Sequence, residues 1–119
     1  MAHMIIELAD YTKKTGGRTH CEYSGDWFLE EILWPQVKQT WMNSHCQIEL
    51  DFNNVEIKPG FIDQAFSKLI SKYRFMESKD CFILKCNDKN IIADIMAAIV
   101  GAEFKTFGRV YTQIFKKEV

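Results

Sequence analysis

Between Gln47 and Phe52 the side chains alternate, with Ile48, Leu50 and Phe52 apolar and Gln47, Glu49 and Asp51 polar. A period of two marks a strand with one covered face. Asn53-Asn54 supplies turn chemistry, Pro59-Gly60 punctuates, and the period then changes. Phe61, Ile62, Ala65, Phe66, Leu69, Ile70 and Tyr73 share one helical stripe, while Asp63, Gln64, Ser67, Lys68, Ser71 and Lys72 occupy the other. This strand, turn and amphipathic helix form the best-defined unit of the chain.

On either side the pattern is less regular. Met4 to Leu8 is a short apolar run suited to an interior strand, and Thr12 to Gly17 is a polar loop. Arg18 to Tyr23 fits either a second short strand or irregular chain. Ser24 is a good N-cap, and Asp26 places negative charge where a helix dipole favours it. The helix from about Gly25 to Trp41 carries Trp27, Phe28, Ile32, Trp34, Val37 and Trp41 around much of its circumference, and Pro35 should kink it. Such a helix is either deeply packed or shared with a second chain.

Asp80 to Lys85 contains the continuous apolar run Phe82-Ile83-Leu84, which predicts a strand covered on both faces. Asp88 can cap a helix from Lys89 to Val100 with Ile91, Ile92, Ile95, Met96 and Ile99 inward, and Gly101 is placed to end it. From Phe104 to Phe115 the chain is strand-like, broken by Gly108; a hairpin or one edge strand would fit. Lys116-Lys117 would discourage edge-to-edge pairing. Alternating strands and helices predict a single α/β layer, a mixed and at least partly parallel sheet with about three helices on it.

Composition narrows the function classes. The 119 residues make one domain, taken as 4–119, because Met1-Ala2-His3 before Met4 reads as a cloning remnant. A hydrophobic fraction of 47% supports a proper core, and a net charge of −1 gives no field to attract nucleic acid or an anionic membrane. No apolar run approaches the ~20 residues of a membrane span. Cys21, Cys46, Cys81 and Cys86 lack zinc-finger or CxxC spacing, so they are expected as free thiols in a reducing cytoplasm, without a metal.

Two stretches carry a family resemblance. GGRTHCEYSGDWFLEEILWPQV is similar to the pattern Gly-Arg, Ser-Gly-x-x-Phe, Leu-x-Pro of a bacterial STAS-like family of unknown function, on Gly17, Arg18, Ser24, Gly25, Phe28, Leu33 and Pro35. IELDFNNVEIKPGFIDQAFSKLI resembles a second block of that family on Asp51, Val55, Phe61, Asp63, Phe66 and Leu69. The family looks like a relative of the STAS domains of anti-anti-sigma factors, in which a serine at a helix start is phosphorylated to release a kinase-like partner. The resemblance implies a STAS-like fold and a regulatory, non-enzymatic protein-interaction module. Its implied partner is a protein, of the histidine-kinase-type ATPase kind. The helix-start position commonly serine in those relatives is Gly60 here, which has no hydroxyl, so the usual phospho-switch is not expected.

Candidate chemistry is sparse. The exposed start of the central helix (Lys58, Gly60, Asp63, Gln64, Ser67) is the expected partner surface. Arg18, with His20 and Ser24 nearby, could make an anion pocket or tie its loop to a carboxylate such as Asp51, and the tie is preferred. Asp51 is also the obvious group to order the Asn53-Asn54 turn. There is no GxxxxGK[ST] or GxGxxG for a nucleotide cofactor, no convincing nucleophile with a base, and no basic aromatic surface for nucleic acid. The alternatives are a self-associating structural subunit using Trp27, Trp34 and Trp41, spaced seven apart, or a sensor of a small anionic ligand at Arg18 and Gly60.

Overall fold

Three strands, β1 (Met4–Glu7), β2 (Ile48–Asp51) and β3 (Phe82–Lys85), pair in the order β1-β2-β3, and both pairings are parallel. The structure, a computed structural model, describes residues 4–112. Parallel neighbours need long crossovers, and each crossover here carries a helix. α1 (residues 25–44) joins β1 to β2, and α2 (Phe61–Ser71) joins β2 towards β3. A single helical turn, α3 (Ser78–Cys81), leads straight into β3, and α4 (Lys89–Phe107) follows. The fold is therefore α/β, a three-stranded parallel open sheet with helices packed on it.

Register decides which face is covered. Ile6 aligns with Leu50 and Leu84, and Ile48 with Met4 and Phe82. Ile6, Ile48, Leu50 and Phe82 are buried, so this face lies under the helices. Ile5, Glu49 and Ile83 share the opposite face, where Ile5 is 52% exposed. The two-residue alternation of β2 is realised, and β2 is the central strand because it is the one paired on both sides. α2 lies over it with Phe61, Ala65, Phe66, Leu69 and Ile70 fully buried, and Phe66 meets Phe52 and Phe82 edge to face. Removing a ring so enclosed costs about 3–5 kcal/mol. α1 approaches α2 so closely that a Cβ on Gly25 would fall on the Phe61 carbonyl oxygen and 2.9 Å from Gln64 Cβ.

Several expectations need correction. β1 is an edge strand among the described residues, with Met4 37% exposed, rather than an interior one. Among the described residues β3 is the other edge; Ile83, on the face shared with Ile5 and Glu49, and Leu84, on the helix-covered face but at the sheet margin, are both only half-buried. Asp80 and Cys81 belong to α3, not to the strand. Arg18 to Tyr23 forms no strand and turns through left-handed backbone at His20 (φ 60°) and Tyr23 (φ 53°). α1 passes through Pro35, as expected, but with altered winding: π-helical stretches, Phe28–Leu33 and Val37–Trp41, flank it, and the Trp34 N–H donates to the Leu29 carbonyl five residues back. The missing amide of Pro35 is absorbed by these widened turns, and the helix continues to Ser44.

The largest correction concerns α4. It runs through Gly101 to Phe107 and ends at Gly108, in left-handed backbone at φ 75°. Residues 104–107 are thus helical, not strand. Packing supplies the reason: Ile99, Ala102 and Glu103 are buried on the same helix, so its inner face continues past the glycine. Beyond it the Glu103 carboxylate accepts from the Tyr111 N–H (2.9 Å), the Thr112 N–H (2.7 Å) and the Thr112 hydroxyl (2.8 Å), which holds the chain against α4. The rest of the expected C-terminal strand, from Gln113 onward, lies outside the described residues. No helix among the described residues is long and apolar enough to cross a membrane.

Candidate functional site

The rim at the start of α2 is assembled by the loop that precedes α1. Thr15 N–H donates to the Glu56 carbonyl (2.9 Å) and Glu56 N–H to the Lys13 carbonyl (2.9 Å), while the buried Thr15 hydroxyl accepts from Lys58 N–H (2.9 Å). The other arm of the loop is fastened to α1, with Gly25 N–H on the Gly17 carbonyl (2.8 Å) and Asp26 N–H on the Arg18 carbonyl (3.0 Å). Ser24 acts as the N-cap, its hydroxyl accepting from Trp27 N–H at 3.1 Å. Arg18 is therefore held from both sides, directly above Pro59-Gly60.

Gly60 is the position on which this arrangement turns. Its φ of 90° and ψ of −20° are left-handed, and a Cβ there would lie 2.7 Å from Arg18 Cγ. The arginine stem crosses the bare glycine, and its Nη1 donates to Asp63 Oδ2 at 2.6 Å. Ser67, one turn on, donates its hydroxyl to Asp63 Oδ1 at 2.9 Å. The Arg18 guanidinium, helped by Ser67 and by Lys105 of α4, holds the Asp63 carboxyl below the usual carboxylate range. Both partners of the ion pair are more than half exposed, so it contributes only ~0.2–1 kcal/mol. Its effect is orientation, since a carboxylate with both oxygens engaged presents one fixed geometry.

Arg18 thus pairs with Asp63 and not with Asp51, which corrects the expected tie of loop to sheet. Asp51 instead accepts from Asn53 N–H at 2.8 Å, and Asn53 Oδ1 then accepts from Asn87 N–H at 2.7 Å, linking the ends of β2 and β3. Of the anticipated partner residues, Lys58 and Asp63 are exposed, and Gly60, Gln64 and Ser67 are half-buried. Gln64 leans back towards Asp26 of α1 at 3.4 Å. Arg18 and Gly60 come together, Ser24 lies in α1's cap, and Asp51 belongs to a separate turn.

Each of the three tryptophans has its own contacts within the chain. Trp27 meets Tyr11 and Tyr23 edge to face, Trp34 stacks on Tyr73 at 4.3 Å, and Trp41 is 8% exposed with its Nε1 donating to Glu77 (3.1 Å). Next to Trp34 lies a cluster that sequence reasoning missed. Glu30 of α1 accepts from Lys72 Nζ at 2.7 Å and from the Tyr73 hydroxyl, locking α1 to the end of α2. Burial pushes the Glu30 carboxyl up, but the two donors outweigh it and leave the group below its ordinary value. The same contact raises the Tyr73 phenol and the Lys72 ammonium. No local spacing links residues some forty positions apart, so no signal pointed to them.

A groove of about 500 Å³ opens beside the rim, between the Ile57–Asp63 segment and α4. Lys58, Gly60 and Asp63 belong to both, and α4 contributes Ile91, Asp94, Ala97 and Ala98. The sequence placed Ile91 on an apolar stripe of this helix, but not opposite Lys58. Among the described residues no group of three metal-ligating side chains converges, and all four cysteines are free thiols, with Cys81 buried. No protein-family model matches the chain, and comparison with the curated proteins and with the solved structures finds no match either.

Proposed function

We propose that this protein is a STAS-like regulatory module that works by docking a protein partner on the rim of α2, formed by Lys58, Gly60, Asp63, Gln64 and Ser67. The observation that carries this reading is the Arg18–Asp63–Ser67 network, which fixes an exposed polar surface on a helix whose opposite face is buried. A docking surface gains from such preorganisation, because fewer side chains lose freedom when the partner arrives. The resemblance to anti-anti-sigma relatives names a histidine-kinase-type ATPase as the kind of partner. Gly60 has no hydroxyl to phosphorylate, and Arg18 occupies the space a side chain would fill. Regulation in this module therefore does not pass through that position.

The double substitution Asp63→Lys with Ser67→Glu tests the proposal. It should abolish capture of the protein partner while moving the melting temperature by no more than a few degrees, since Asp63 is exposed and Ser67 lies outside the buried stripe of α2. Unchanged capture by the folded variant would remove this rim as the docking surface.

A further inference from the structure

The groove beside the rim has a chemical polarity of its own. Its apolar lining comes from Ile57 and Ile62 on one wall and Ile91 and Ala98 on the other. Lys58 stands on the α2 side and Asp94 on the α4 side. Among the described residues neither has an ion-pair partner, whereas Asp63, the other acid in the lining, is neutralised by Arg18. An unpaired cation and an unpaired anion thus face each other across an aliphatic channel. Ala97 and Ala98 keep the α4 wall low, which lets a backbone come close.

This pattern suits a polypeptide better than a small ligand. A small-molecule cleft orients its ligand with a few polar groups set into a mostly apolar pocket, whereas both charges here are exposed and on opposite walls. Resting on the docking function proposed above, we infer that the groove takes an amphipathic segment of the protein partner. Its aliphatic side chains lie on Ile57, Ile62 and Ile91, an acidic residue faces Lys58, and a basic residue faces Asp94. The two charges fix the direction in which the segment lies, because reversing it would place like charges together.

Selection of random dodecapeptides displayed against the full-length protein tests this. Enriched sequences should carry an aliphatic pair with an acid on one flank and a base on the other. Asp94→Lys should weaken a selected peptide by roughly tenfold in fluorescence anisotropy, and changing the peptide's base to Glu should restore it. Lys58→Glu should be rescued in the same way by replacing the peptide's acid with Lys. An empty selection, or peptides indifferent to both charge reversals, overturns the inference. Partner capture separates it from the rim. Loss of capture in the Asp63→Lys, Ser67→Glu variant without charge-swap rescue in the groove leaves the rim standing and removes the groove. Rescue in the groove with capture intact in that variant does the reverse.

Discussion

Replacing Gly60 by alanine adds a single methyl group at the most constrained point of the rim. Two costs follow. The backbone at φ 90° is one that L-residues adopt at a penalty of about 1–2 kcal/mol. The new Cβ would also stand 2.7 Å from Arg18 Cγ, so the flexible arginine must swing aside and release Asp63, which removes ~0.2–1 kcal/mol of exposed ion pairing. The sum is about 1.2–3 kcal/mol, or a fall of roughly 5–15 °C in melting temperature for a domain of this size. Urea unfolding read by tryptophan fluorescence measures it. In an Arg18→Ala background the same substitution should cost only the backbone part, so the double-mutant cycle should show coupling of ~0.2–1 kcal/mol. Gly101→Ala is the matched control. That glycine lies inside α4 with open space around the added methyl, so the change should stabilise by about 0.5–1 kcal/mol. A Gly60→Ala protein as stable as the parent would refute both the left-handed turn and the arginine crossing.

Other consequences are measurable directly. Arg18→Ala should raise the Asp63 pKa towards the ordinary aspartate value of about 3.9 in an NMR titration. Because the native Asp63 is depressed, the pair stabilises the fold above that unfolded value and is lost as pH falls through the folded one. The gap between parent and variant, under ~1 kcal/mol at neutral pH, should therefore close in acid. Glu103→Ala leaves three donors of Tyr111 and Thr112 without their acceptor; a loss of about 2–4 kcal/mol should accompany faster hydrogen exchange at those two amides. Iodoacetamide should label the exposed Cys21 in the native protein, whereas Cys81, whose thiol burial and then Glu77 push up, should react only on unfolding. Rapid native labelling of Cys81 would contradict its placement.

How far the chain could be understood without coordinates depended on the range of the interactions involved. The alternation through Ile48, Leu50 and Phe52 and the stripe from Phe61 to Ile70 were legible because a period follows from backbone geometry within one element. Caps were legible for the same reason, as Ser24 and Asp88 bond amides only two or three residues away. Local signals failed where a distant surface overrode them. Gly101 marks a helix end by propensity, yet burial of Ile99, Ala102 and Glu103 carries α4 onward. Phe82-Ile83-Leu84 looks like a strand covered on both faces, but coverage depends on where the helices land, and among the described residues the pairing order makes β3 an edge.

The amino-acid sequence by itself determined the α/β class, the central strand and helix, and the polar residues of the α2 rim, because each follows from periods and turn chemistry within about twenty residues. Tertiary structure alone decided that Arg18 chooses Asp63 over Asp51, that Glu30 meets Lys72 and Tyr73, and that Asp94 faces Lys58 across a groove. These pairings join residues more than thirty positions apart, and only the stacking of helices on the sheet sets which of many carboxylates a given cation can reach.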